Sequence, residues 1–547
     1  MAPKPRRNGR VSGCLAALRY GATGAAGVAD VRGRGPMVVI EFAEQGPTSK
    51  PRTDLATRPG TPRIGRLMTL APTKPHPIFL AGRWVESDDV LEVTNPAHPD
   101  QPAGATYNAT AEQYEEAVQA AVRAFEVTRR LPAYERGAIL RNISAGIEER
   151  REELGRLMAT ESGKPIRDAL VEVDRAVTTF RLGAEEAERM TGELIPLDLM
   201  ASSKGRVGIT RRFPIGPVAA ISPFNFPLNL AAHKLSPAIA AGCTVVLKPP
   251  SKDPLTMLTV AEIIERAGVP DGAVSILPMT RALGDKMVED PRFKLLTFTG
   301  SPSVGWRMKQ RAGKKRVVLE LGGNAGVIVD ETADLEWAVK RSLVGAFSYA
   351  GQVCISVQRV FIHRSVYTRF LDGFIEGAKE LKVGDPLDPE TQLGPMVDEQ
   401  AARRTESWVD EAHQLGGRVL LGGRAEGSFF PPTVLVDTPP TAQVWSNEAF
   451  APLVVAFPFD DLDEAIAQVN DSFYGLQTGM FTNDLEHSWR AFNELEVGGV
   501  IVNDVPTYRI DHMPYGGVKD SGMGREGLRW SMEDMTELRL MVVAQPG

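Results

Sequence analysis

From Ile78 onward the polar and apolar positions fall into periods that predict secondary structure. The run IFLAGRWVES reads as strand, turn and strand. Thr110 is placed to cap a helix, with Gln113 three positions on as its capping-box partner and Ala117, Val118, Ala121 and Phe125 as the apolar stripe. Helical periods follow through 134–160 and 165–190. At Val207 the texture changes to short apolar runs alternating with helices: GPVAAIS, a helix over 229–241, TVVLKP, a helix over 255–267, AVSIL, LLTFTG, a helix from Ser303, and VVLELGG. The alternation continues past Asp330 through RVFIH, a helix near 365–381, and LVVAFPF with its own helix. Strands separated by helices of this length predict right-handed crossovers and parallel α/β sheets. The terminal run LRLMVV reads as a strand with no hairpin partner nearby in sequence.

Composition narrows the class. The chain has 547 residues, 43% hydrophobic and 24% charged, which is ordinary globular usage. A formal charge of −7 gives no basic footprint for nucleic acid. No apolar run approaches the roughly 18 residues of a membrane span. Three cysteines (Cys14, Cys243, Cys354) make no disulfide framework and fit a reducing, cytoplasmic setting. The seven histidines are scattered, none at metal-ligand spacing from a cysteine, so no metal is expected. Charge is uneven, however: residues 1–75 carry 13 Lys/Arg against four Asp/Glu. Without apolar periodicity, that segment is expected to be a disordered tail, or sequence upstream of a true start at Met37 or Met68. An Arg-rich transit peptide is the alternative. Removing residues 1–67 is expected to leave folding intact.

Chemistry gathers at strand ends. Cys354, in YAGQVCIS, would alone be read as a small core hydrophobe. Glu320, in VVLELGG, is a carboxylate at the end of an apolar strand, where desolvation makes it costly, and Gly322-Gly323 lets backbone approach it. Asn225, in SPFNFPLN, is an amide at the mouth of GPVAAIS, able to donate to a developing oxyanion. One thiol, one carboxylate and one amide at strand ends suggest covalent acyl transfer. Lys248 ends TVVLKP, where an ammonium can meet ribose hydroxyls or phosphate. Gly300, Ser301 and Gly305 sit at a strand–helix junction that leaves N–H groups free for phosphate, although this is not the GxGxxG fingerprint. Glu448 and Phe450, in SNEAFAP, suit a ribose and a nicotinamide face, with a plain surface loop as the alternative.

From about Ile78 to the C-terminus the chain resembles the aldehyde dehydrogenase superfamily. The resemblance rests on Pro223-Phe224-Asn225, Lys248-Pro249, Phe298-Thr299-Gly300-Ser301, Glu320-Leu321-Gly322-Gly323, Gly351-Gln352-Val353-Cys354, Asn447-Glu448-Ala449-Phe450 and Pro514-Tyr515-Gly516-Gly517-Val518-Lys519 in order. The phrases AGKKRVVLELGGNA, CISVQRV and VPTYRIDHMPYGG look most like the branch of lactaldehyde and phosphonoacetaldehyde dehydrogenases. The resemblance implies Cys354 as nucleophile, Glu320 as general base and Asn225 as oxyanion donor. It implies NAD or NADP held by Ser222, Phe224, Lys248, Ser251, Gly300, Ser301, Val304, Leu321, Glu448 and Phe450. The reaction implied is oxidation of a small aldehyde through a thiohemiacetal and a thioester to the acid. The implied architecture is α/β with two parallel-sheet domains: a coenzyme domain over 76–194 and 215–322, and a catalytic domain over 323–535. An oligomerisation element over 195–214 and 536–547 implies a homodimer or homotetramer. Rival readings are a coenzyme A-acylating dehydrogenase, which often lacks the glutamate base, and a non-catalytic member of the fold.

Two positions bear on specificity. The family often has glutamate three residues after the lysine, where this chain has Ser251. Serine can donate to a 2′-phosphate that a carboxylate would repel, and Lys252 either adds charge or is a solvated surface residue, so NADP is expected alongside NAD or in preference to it. Ala451 replaces the usual glycine before proline. Arg509, in TYRIDHMP, lies by family analogy at the substrate entrance and would pair with an anionic group on the aldehyde. The alternative is a salt bridge to Asp511 or to another loop.

Overall fold

The computed structural model describes residues 74–544, so the expectations for the N-terminal segment lie outside it. The opening strands Ile78–Leu80 and Arg83–Val85 form an antiparallel hairpin. Its two turn residues, Ala81 and Gly82, both have positive φ (53° and 94°), the backbone that matches strand twist. Helix Ala111–Thr128 starts on Thr110 with both halves of the capping box made. The helical period over 134–160 resolves into two helices, Ala133–Glu149 and Arg151–Ser162, broken at Arg150. Arg150 leaves helical geometry while its guanidinium bonds Glu153 and Glu262. No Gly or Pro marks this break, so periodicity alone runs straight through it.

Two sheets follow, each parallel at its centre and antiparallel at an edge. In space the first runs Arg83–Val85, Ile78–Leu80, Val274–Ile276, Val245–Lys248, Val218–Ile221, Leu295–Thr299, Arg316–Glu320 and Gly522–Met523. The second runs Arg418–Leu421, Thr433–Val436, Leu453–Phe459, Val357–His363, Ala325–Val329, Gln477–Phe481 and Gly499–Val502. Central strands such as Val218–Ile221 and Ala325–Val329 are buried at every position, as parallel strands covered on both faces must be. Each sheet has its own apolar core. A third, three-stranded sheet pairs the terminal strand Thr536–Ala544 with Arg206–Pro214, and the latter with Leu194–Pro196.

The chain's end returns to the first sheet. Gly522–Met523, from the stretch assigned to the catalytic domain, pairs antiparallel with Leu319 and Glu320. Met532 and Met535 beyond it join the first core. A Cβ at Gly522 (φ 139°) would collide with the Leu319 carbonyl, so only glycine lets this strand approach. Gly522→Ala should therefore cost about 1–3 kcal/mol, the range for overpacking, and lower the melting temperature by several degrees. A thermal melt indistinguishable from the parent would contradict this account of the junction.

Candidate active site

The site grows from a change of direction in the first sheet. The chain passes from Val218–Ile221 outward through Val245–Lys248 and Val274–Ile276, then returns to place Leu295–Thr299 on the other flank of Val218–Ile221. Open α/β sheets bind ligands beyond the carboxyl ends of the strands at such a switch point. Here Ser222, Lys248, Gly300 and Glu320 lie at or just past those ends. All the candidate residues except Val304 and Arg509 line one cleft of about 450 Å³, together with Lys252 and Arg404. Val304 instead packs half-buried against the core in the first turn of helix Pro302–Arg311.

The second sheet delivers Cys354 into this cleft through a strained turn. Tyr349 and Ala350 hold left-handed φ (48° and 52°), and Gly351 follows at 64°. For the two residues that carry a Cβ this costs of order 1–3 kcal/mol each, and such strain clusters at functional loops. A Cβ on Gly351 would collide with the Ala451 carbonyl, so the turn is wedged against the loop bearing Glu448 and Phe450. The Tyr349 hydroxyl donates to Ser162 O (3.2 Å) and Val397 N–H donates to the Gln352 side chain (2.8 Å), fixing the turn from both sides. Burial pushes the Cys354 thiol up to about 12, opposed by a hydrogen bond with the Tyr515 hydroxyl at 3.1 Å. The backbone N–H of Cys354 meets no acceptor among the described residues.

Glu320 is 2% exposed, and neither carboxylate oxygen has a hydrogen-bond partner among the described residues. Burial raises its pKa well above the usual carboxylate value, with neighbouring Glu526 adding to the rise and Arg509 and Lys234 opposing it. Burial would also raise Glu526, but Lys234 and Arg509 hold it below the usual range. The Lys234 ammonium donates to Glu526 (3.2 Å), Thr297 (3.1 Å) and Thr299 (2.7 Å). Two carboxylates in one low-dielectric pocket are thus driven apart in proton affinity, the usual arrangement for acid–base work.

Asn225 is held by a separate buried charge. Lys164 donates to the Asn225 carbonyl (2.8 Å) and to Glu172, with its ammonium over the Phe226 ring (3.9 Å). Glu172 in turn accepts the N–H groups of Leu228 and Asn229, both at 3.0 Å. The Asn225 side-chain amide donates to Gln352 O at 3.0 Å, tying it to the cysteine turn and leaving its second N–H free.

The other half of the cleft suits a phosphate-bearing ligand. Ser301 starts helix Pro302–Arg311 in extended geometry with no side-chain cap; Pro302 has no N–H and Val304 N–H turns back to Ser301 O (3.2 Å), so among the described residues Ser303 N–H is the open donor of the first turn. Ser222 Oγ is buried without a partner among the described residues. Lys248 donates weakly to Ser251 (3.3 Å), and burial, then the nearby Arg281, lowers its pKa to about 8. Lys252 is bound to Asp398 at 2.6 Å, so its charge is already engaged. Gly322 makes room for Glu448, since a Cβ there would strike the carboxylate. Burial raises the Glu448 carboxyl to about 7 against the pull of Gly323 N–H and Arg404. The Phe450 ring meets Phe224 edge-on at 5.8 Å, forming an aromatic wall.

The sequence model of the aldehyde dehydrogenase family matches residues 84–541. The chain belongs to that family. It is 43% identical over 478 residues to a 3-sulfolactaldehyde dehydrogenase of Priestia aryabhattai, covering 87% of this chain and 100% of the relative. Among solved structures, aldehyde dehydrogenase 21 from Physcomitrella patens, in complex with the reaction product succinate, superposes with a TM-score of 0.85 at 47% identity, covering 86% of this chain and 99% of the other. Glyceraldehyde-3-phosphate dehydrogenase from Methanocaldococcus jannaschii, complexed with NADP, gives 0.81 at 39%, covering 84% and 100%.

For an aldehyde dehydrogenase, the sequence left several neighbours of the cleft unread. Lys234, Glu526, Lys164, Arg404 and Arg281 carry no local signal in the sequence, because each bears on the cleft through residues that only the fold brings near, as Lys164 does through Asn225. Arg509 pairs with Glu526 (3.0 Å) and stacks over the Tyr515 ring (3.7 Å), so the partner is a different loop and not Asp511. Asp511 is taken by Arg175 (2.7 Å), His233 (2.8 Å) and Asn229 (3.0 Å). Nothing among the described residues accepts a hydrogen bond from Arg509 Nε, which is buried.

Proposed function

We propose that this protein oxidises a small anionic aldehyde to its carboxylate with NADP or NAD, through a covalent intermediate on Cys354. The observation that carries the reading is the convergence of Cys354, the unpartnered Glu320 and Asn225 at one end of a cleft whose other end offers phosphate and ribose contacts.

The residues present fit the dinucleotide. Ser222, Lys248, Ser251 and the open helix start at Ser301 would hold its phosphates and adenosine ribose. Glu448 and the Phe224–Phe450 wall would hold the nicotinamide ribose and ring. When bound, it supplies the two-electron acceptor that turns the thiohemiacetal into a thioester. Cys354 makes the carbon–sulfur bond, while Asn225 and the Cys354 N–H receive the oxyanion. Glu320, unsatisfied and raised by burial, takes a proton from water so that the oxygen attacks the thioester and the sulfur leaves. The same carboxylate argues against a coenzyme A-acylating enzyme.

The substrate class rests on two observations. The compounds named with the three relatives above carry a sulfonate, a second carboxylate or a phosphate, whereas lactaldehyde, in the name of another relative, is uncharged. Arg509, buried behind the cleft, acts electrostatically on Cys354 and Glu320 and keeps one donor, Nε, without a partner among the described residues, so an anionic group brought to Cys354 would meet its charge. We read the assembly as a homo-oligomer in the cytoplasm. Strand Thr536–Ala544 is an open edge with Leu538, Leu540, Met541 and Val542 exposed, a surface that a second copy would cover.

Absorbance at 340 nm with an aldehyde panel, both cofactors, and coenzyme A present or absent tests the whole reading. Cys354→Ala should abolish oxidation. Glu320→Gln should keep a burst of one reduced cofactor per site while steady turnover collapses, and no burst would remove Glu320 from deacylation. Ser251→Glu should lower kcat/KM for NADP about 10–100-fold, the effect of placing a carboxylate against a phosphate, and spare NAD. An unchanged cofactor ratio would refute the assignment of Ser251. Arg509→Ala should lower the ratio of kcat/KM for an anionic over a neutral aldehyde about 10–100-fold, matching ~1.5–3 kcal/mol for a charged hydrogen bond. Because Arg509 also balances Glu526, both substrates should lose kcat, and equal losses would make the arginine purely structural.

A further inference from the structure

Tyr515 adjoins the cleft through Cys354 and has no part in the mechanism above. It is 3% exposed, and its hydroxyl stands 3.1 Å from Cys354 Sγ, the only hydrogen-bond contact that sulfur makes among the described residues. Its position is over-determined. Its backbone exchanges two hydrogen bonds with Glu526, N–H to O at 3.0 Å and O to N–H at 2.6 Å. Its ring carries the Arg509 guanidinium at 3.7 Å, and Arg509 is itself locked on Glu526. A phenol held this firmly against a nucleophile has one geometry to offer.

Resting on the reading of Cys354 as nucleophile, we propose that Tyr515 is a catalytic residue that donates its O–H to the Cys354 thiolate, stabilising the attacking form of the sulfur. The groups facing this pair are Glu320 and Glu448, whose negative charge disfavours a thiolate, and Arg509, whose positive charge favours it. Among the described residues only the Tyr515 hydroxyl hydrogen-bonds the sulfur itself. Burial keeps Tyr515 protonated well above the usual phenol range, so it acts as a donor and is not the base. In the activation step the S–H bond breaks, the electron pair stays on sulfur and the proton passes to water in the cleft, which the half-buried Cys354 reaches. Tyr515 keeps its own proton and turns its hydrogen bond from thiol to thiolate. Charge-assisted hydrogen bonds of this kind are about twice as strong as neutral ones, so the gain falls on the ionised form.

The test is Tyr515→Phe in the full chain, which preserves the ring and the arginine stack while removing one oxygen. Iodoacetamide labelling of Cys354, followed by mass spectrometry across pH with and without NADP, reads thiolate formation independently of turnover. The variant should label about tenfold more slowly at pH 8, with its pH profile displaced upward by about one unit, and melt within a few degrees of the parent. Its kcat/KM should fall by a similar factor. An identical labelling profile would overturn the proposal, as would faster labelling, which would make Tyr515 a shield. A lowered melting temperature with an unchanged profile would reduce Tyr515 to packing. Failure of the parent to oxidise any aldehyde would instead defeat the functional reading and leave the labelling comparison intact.

Discussion

The site depends on a buried balance of charge. Glu320 and Glu526 share a pocket with Lys234 and Arg509, and all four side chains are almost wholly removed from water. Isolated, any one of them would cost several kcal/mol in a medium of low dielectric. Together the two cations neutralise Glu526 by direct contact and leave Glu320 without a partner. One carboxylate is thereby kept ionised for structure, and the other is kept free and basic. This balance explains the unusual course of the chain. Glu320 ends a strand of the first sheet, Lys234 lies on a neighbouring helix, and Arg509 and Glu526 come from the C-terminal segment. The short strand Gly522–Met523 holds that segment against Glu320.

The cysteine is positioned by backbone strain where the carboxylate is positioned by charge. Tyr349, Ala350 and Phe450 all hold positive φ, and the two loops that carry them interlock through Gly351 and Ala451. Neither loop could hold this conformation alone. The second sheet buries a continuous core behind them, including Trp445, Phe361 and Phe457 in mutual contact. Stability built in that core offsets the strain, which in turn fixes Cys354 facing Asn225 and Tyr515. Lys164 and Glu172 do the corresponding work from the first sheet's side by fastening the Asn225 loop.

Much of this fold is legible in the sequence. The capping box at Thr110, the helices over 229–241 and 255–267 and the strand runs GPVAAIS, TVVLKP and VVLELGG follow from interactions within a few residues, which periodicity records. Glu320 stands out because a carboxylate at the end of an apolar strand is costly without a partner, and Cys354, alone a small core hydrophobe, gains its meaning from Glu320 and Asn225. The break at Arg150 was not legible, because an arginine reaching a glutamate more than a hundred residues away leaves no local mark. Lys234 was hidden for the same reason: it sits in a helix that is buried all round, and Glu526 lies 292 residues further on. Arg509 was visible as a charge near the entrance, but its partner was decided by which loop the fold placed beside it. Sequence specifies what forms through neighbouring residues. The pairing of buried charges was decided only by tertiary structure, because it is governed by distance in space.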